Sequence, residues 1–127
     1  IVTREKMRIE FNEEKKVITI STPGKNTVEI SDDDKHIKLT DQNKNEIVMN
    51  SSGISLSSAK DITLKAKGAI TIEATSKINA TAKQDVSLEG LNVKMEAKVS
   101  ATVKGNAKAE LLASGQTTVK GAMVMIN

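Results

Sequence analysis

From Ile54 onward the chain reads in rows of eight: ISLSSAKD, ITLKAKGA, ITIEATSK, INATAKQD, a seven-residue row VSLEGLN, then VKMEAKVS, ATVKGNAK, AELLASGQ and TTVKGAMV. The first column is Ile in four rows, then Val, Val, Ala, Ala and Thr. The third is Leu, Leu, Ile, Ala, Leu, Met, Val, Leu and Val, and the fifth holds only Ser, Ala and Gly. Columns two and four are polar in every row except at Leu112. Apolar residues at positions one, three and five share one face of an extended chain, so each row predicts a half-buried strand of about five residues. The last three positions are rich in Lys, Gly, Asn, Ser and Ala, which suits a corner. A helix would scatter these alternating residues over opposite sides, and Ile, Val and Thr favour strands. A coiled coil needs sevens, and only one row has seven.

Residues 1–50 alternate less regularly. Apolar sets fall at Met7/Ile9/Phe11, Ile18/Ile20, Val28/Ile30, Ile37/Leu39 and Ile47/Met49, about ten residues apart. The polar runs Asn12–Lys16, Ser21–Thr27, Ser31–His36 and Thr40–Glu46 separate them, with a turn signal at Pro23-Gly24. Strands with longer turns and some antiparallel pairing are expected here. The division is therefore residues 1–50 as a base with longer turns, and 51–127 as an octad shaft and tip.

A five-residue strand spans roughly 16 Å and cannot close a core alone. A single-chain solenoid needs two or three edges per coil, yet nothing recurs every third row and all faces look alike. Three-fold symmetry makes them equivalent: three chains would each supply one edge of a triangular prism and wind around one another. Small residues in column five would fit where three edges meet. Nine layers about 4.8 Å apart give a shaft of roughly 40–45 Å.

Composition sharpens this reading. Aromatic residues are 1% of the 127, with no Trp, Tyr or Cys, and hydrophobic residues reach only 38%. A single-chain core without rings would be thin, so apolar mass has to come from other copies. Zero Cys excludes disulfides and thiolate metal sites. No run approaches 18 apolar residues, and no apolar stretch follows Ile1-Val2-Thr3-Arg4, so no signal peptide is expected. Because it opens on Ile, the chain reads as a fragment of a longer protein. The net charge of +3 is spread over dispersed lysines, without the clustered basic residues and stacking aromatics of a nucleic-acid binder.

Val103-Lys104-Gly105 and Val119-Lys120-Gly121 fall in columns three to five, with Leu88-Glu89-Gly90 a near match. These resemble the valine–glycine octad of the β-helical spikes in contractile injection machines: the VgrG proteins of type VI secretion and the central spike of tailed-phage baseplates. The segment Ile1–Asn12 is similar to the one that opens the VgrG needle, and Ser114–Asn127 is similar to VgrG carboxyl ends. The resemblance covers nearly the whole chain. It implies an all-β, intertwined homotrimeric triple-stranded β-helix that pierces a membrane ahead of an expelled tube. It implies a PAAR-repeat cap on the tip, effector proteins carried there, and docking onto a tube of Hcp rings through amino-terminal parts absent from this chain. It further implies synthesis in a bacterial cytoplasm and expulsion, without a signal peptide, to the extracellular space or a target cell.

Candidate chemistry is sparse. His36 is the sole histidine and is expected in an exposed turn beside Asp32, Asp33, Asp34 and Lys35. The three aspartates lack the alternating ligands and the glycine of a calcium loop. Glu13/Glu14 and Asp41 lack the aromatic platforms that sugar hydrolysis uses. No catalytic, cofactor or metal residue is therefore assigned. The feature read as functional is the end of the chain, Gly121, Ala122, Met123, Val124, Met125, Ile126 and Asn127, an apolar last layer with nothing above it and soft Met side chains suited to a cap. Its other reading is a final core layer. Rival readings of the whole are a monomeric β-solenoid acting as an adhesin or carbohydrate-active domain, and an ice-binding solenoid. The second is disfavoured because Thr shares its columns with Ser, Asn, Lys and Glu.

Overall fold

A computed structural model describes all of residues 1–127. The chain is all-β and has no helix. It divides into two units, Ile1–Glu73 and Ala74–Asn127. The first holds six strands of five residues: β1 (Arg8–Asn12), β2 (Val17–Ser21), β3 (Thr27–Ser31), β4 (His36–Thr40), β5 (Glu46–Asn50) and β6 (Gly53–Ser57). They form one sheet in chain order, every neighbouring pair antiparallel.

The register gathers the apolar residues on one face. Ile9 pairs with Ile20, Ile20 with Val28, Val28 with Leu39, Leu39 with Ile47, and Ile47 with Leu56. A parallel rank runs through Phe11, Ile18, Ile30, Ile37, Met49 and Ile54. Side chains alternate across a strand, so the same pairing puts Arg8, Glu10, Thr19, Glu29 and Lys38 on the other face. A slip of one residue would exchange the two faces completely.

The turns repeat as well as the strands. In the segments Thr3–Ser21, Thr22–Thr40 and Asp41–Ser57, each hairpin repeats the last with a near-constant layout. Five turns end on a lysine in the left-handed region: Lys6 (φ 62°), Lys16 (51°), Lys25 (66°), Lys35 (52°) and Lys44 (68°). Each donates its N–H to the carbonyl three residues earlier, on Thr3, Glu13, Thr22, Asp32 and Asp41 respectively. This is the turn-plus-bulge geometry of short hairpins, in which the left-handed position usually falls to Gly or Asn. The last turn, Ser51-Ser52, is shorter and closes on Gly53 at φ 118°.

Beyond Ser57 the backbone keeps to the octads. It bends at 59–60, 67–68, 75–76, 83–84, 91, 98–99, 106–107, 114–115 and 122, and runs extended between. The bends recur every eight residues, with a single interval of seven from Leu91 to Lys98 where the short row lies. They fall on columns six and seven, the corner positions. Residues 61–127 make no backbone hydrogen bond within the chain.

Candidate assembly surface and tip

Neither unit has a core. No hydrophobic residue is buried, and the only buried residue is Ser31. The chain exposes 13022 Å², against about 6,600 Å² for a compact single chain of its mass. The two apolar ranks of the sheet lie open, and along one of them runs a groove of ≈ 540 Å³ lined by Ile20, Val28, Leu39, Ile47, Leu56 and Ile62. Patches of more than a few hundred Å² are not left in water on a soluble protein without an occupant. The aliphatic columns of the octads are equally bare, with Ile62 52%, Leu88 75% and Val103 78% exposed.

Two of the three column-five glycines are crowded from within the chain, while Gly90 has ordinary room at 3.4 Å. A Cβ added at Gly105 would overlap the Lys108 carbonyl, and one at Gly121 would sit 3.1 Å from the Met123 carbonyl oxygen. At Gly68 and Gly115, in column seven, it would meet nothing within 4 Å. At Gly105 and Gly121 the crowding atom is the chain's own carbonyl just past the bend. On the polar face of the octads, Lys94 pairs with Glu96 at 2.5 Å and Lys108 with Glu110 at 2.6 Å. Residues two apart in an extended chain share a face, so these pairs decorate the solvated side.

The tip residues Gly121–Asn127 are all exposed, with Met123 at 78% and Ile126 at 90%. Exposure alone does not set them apart from the other aliphatic residues. Their place in the octad does. Columns seven and eight hold Lys60-Asp61, Gly68-Ala69, Ser76-Lys77, Gln84-Asp85, Val99-Ser100, Ala107-Lys108 and Gly115-Gln116. Only the last row puts two large apolar residues there, Met123-Val124, at corner positions that otherwise face water.

The candidate chemical residues are not brought together. Glu13 and Glu14 lie in the β1–β2 turn, at the rim of the sheet opposite the β4–β5 turn that holds Asp41. Asp32, Asp33 and Asp34 form the exposed β3–β4 turn, where Asp34 accepts a hydrogen bond from Ser31 Oγ. His36 differs from expectation. It opens β4 rather than lying in the turn, is half-buried on the polar face, and its Nε2 is 2.6 Å from Glu29 Oε1. The parity of the strand turns it beside Glu29 on the neighbouring strand. On the same face Lys38 pairs with Glu46 at 2.9 Å. The hydrogen bond and charge of Glu46 push the Lys38 amine above its ordinary value. Asp41 is held below the usual carboxylate value, first by the Asn45 backbone N–H, against a smaller opposing effect of burial. No cluster of three His, Cys, Asp or Glu side chains could hold a metal ion, and no helix is long and apolar enough to cross a membrane.

One chain thus leaves both an apolar sheet face and the apolar octad columns uncovered. A family model described as the phage baseplate V C-terminal trimerisation domain matches residues 17–127. The chain belongs to that family. The resemblance to VgrG and baseplate spikes is therefore borne out at the level of family. No curated protein matches the chain. A baseplate trimerisation domain has a structural, spike-type role, which accords with a surface dominated by apolar ranks rather than by convergent polar groups. Two features of this domain escape sequence reading: the left-handed turn lysines, and the asparagines that follow two of them. Their only signal is the recurrence of Lys at positions 6, 16, 25, 35 and 44.

Proposed function

We propose that this trimerisation domain is a non-enzymatic puncturing spike of a contractile injection machine, assembled as an intertwined homotrimeric triple-stranded β-helix. The observation that carries this reading is the pairing of an eight-residue bend period with a complete lack of buried apolar residues. A single-chain solenoid would bond each coil to the next, whereas residues 61–127 make no such bonds on their own. Partner chains would supply both the missing core and the missing backbone partners, since buried N–H and C=O groups are almost always paired. Many inter-chain hydrogen bonds along one axis would resist bending, as a force-bearing needle requires.

The Gly121–Asn127 end is proposed as the seat of a PAAR-repeat cap, through which effectors are carried to a target membrane. Three copies of Met123-Val124 at corner positions would offer a soft apolar platform. Expulsion to the extracellular space or a target cell belongs to the same proposal. Capture of a purified PAAR-repeat protein by the full chain and by a chain ending at Lys120 tests the tip. The full chain is expected to retain the cap and the shortened one to lose it. Equal capture would discard the tip assignment.

A further inference from the structure

The two rims of the six-stranded sheet carry opposite charge. The turns 13–16, 32–35 and 51–52 lie at one rim, where Glu13, Glu14, Asp32, Asp33 and Asp34 outnumber three lysines, for a net −2. The turns 3–7, 22–26 and 41–45 lie at the other, where Arg4, Lys6, Lys25 and Lys44 outnumber Glu5 and Asp41, for a net +2. Neither set is neutralised within the chain. The ion pairs of this unit are Arg8–Glu10, His36–Glu29 and Lys38–Glu46, all on the strands. The turn lysines moreover hold left-handed backbone that Gly or Asn would adopt with less strain.

We infer that the acidic rim of one copy docks against the basic rim of the next at each corner of the assembly, which forces all copies to point the same way. The inference rests on the trimer proposed above. Around a three-fold axis every corner joins one left rim to one right rim, a heterologous contact that closes on itself. With the apolar faces turned inward, three parallel copies put −2 against +2 at all three corners. A copy inserted upside down exchanges its rims and sets acidic against acidic at one corner and basic against basic at the other. Successive turns on one rim are two strands apart, roughly 10 Å, and those of the other rim are offset by one strand, about 5 Å, so the turns of one copy fall between those of the next. Exposed ion pairs add little stability singly. Their effect here is selection, because like charges placed together are strongly rejected and opposite ones speed encounter.

Zero-length carbodiimide cross-linking of the full chain, read by mass spectrometry, tests this. The two rims of one sheet are separated by a five-residue strand of roughly 17 Å, so an amide from Lys25 or Lys44 to Glu14 or Asp33 has to join two copies. Such links are expected in a particle of trimer mass. The variant Glu14→Lys/Asp33→Lys turns the acidic rim from −2 to +2 and touches no hydrogen bond of the fold. It is expected to slow assembly from denaturant roughly tenfold at low salt, with the difference closing at 1 M salt. A trimer with no link between rims, or an unchanged assembly rate, overturns the corner pairing and leaves the trimer standing. A particle of monomer mass overturns both.

Discussion

The side-chain Oδ1 of Asn26 accepts the backbone N–H of Gln42 at 3.0 Å, tying one hairpin turn to the turn stacked beside it. Asn45 does the same one repeat later, accepting from the Ala59 N–H at 3.1 Å and from Ser58 Oγ at 2.9 Å. In the first hairpin the asparagine is replaced by Met7, and the residue that would donate is Pro23, which has no N–H. Acceptor and donor are lost together there.

Removing either staple is therefore expected to cost about 1 kcal/mol, the net worth of an ordinary hydrogen bond. Asn45→Ala should cost more than Asn26→Ala, because Asn45 accepts two bonds and donates to the charged Asp41 Oδ2 at 2.8 Å, where Asn26 accepts one and donates to the neutral Thr22 Oγ1 at 3.1 Å. Met7→Asn should gain no cross-turn bond while Pro23 stands, so its midpoint should rise by less than Asn26→Ala lowers it. Denaturant midpoints of the three variants check the ordering.

The strand positions were legible from alternation. Ile18/Ile20, Val28/Ile30, Ile37/Leu39 and Ile47/Met49 all fall inside strands with their side chains on the common apolar face. The octad bends were legible for the same reason, down to the seven-residue row. His36 and Glu46 were read as turn residues because polarity alone cannot tell a turn from the solvated face of a strand. The hairpin repeat was hidden because its signature residues sit in turns. Lysine is also a poor advertisement for left-handed backbone, which physical chemistry assigns first to Gly and Asn. The tip was legible only as an apolar end. Its distinguishing mark, Met123-Val124 in columns seven and eight, lay in the corner positions of the rows and is seen only by comparing the last row with the others.

The glycines of the octads should separate by column. Gly105→Ala forces a Cβ into the Lys108 carbonyl, whereas Gly115→Ala meets open space. The first is expected to destabilise by about 1–3 kcal/mol, the usual scale of forced overlap. The second is expected to be near neutral. Thermal unfolding of the two variants measures the contrast.

Asp41 links the fold to pH. Its Oδ1 accepts the N–H groups of Asn43 and Asn45, each at 2.8 Å, and these bonds favour the ionised form. A carboxylate held below its ordinary value of 3.8 contributes stability that is fully present above that pH and is lost as pH falls below it. The β4–β5 turn should therefore loosen in acid below that value. Asp41→Asn should flatten this part of the acid-unfolding profile, and an unchanged profile would remove Asp41 from the account.

In the proposed assembly two further copies cover the bare apolar ranks of each chain. The mass of the full chain in solution, measured by light scattering, addresses it directly. A mass of three times 13.6 kDa is the expected result, and a mass of 13.6 kDa would contradict it.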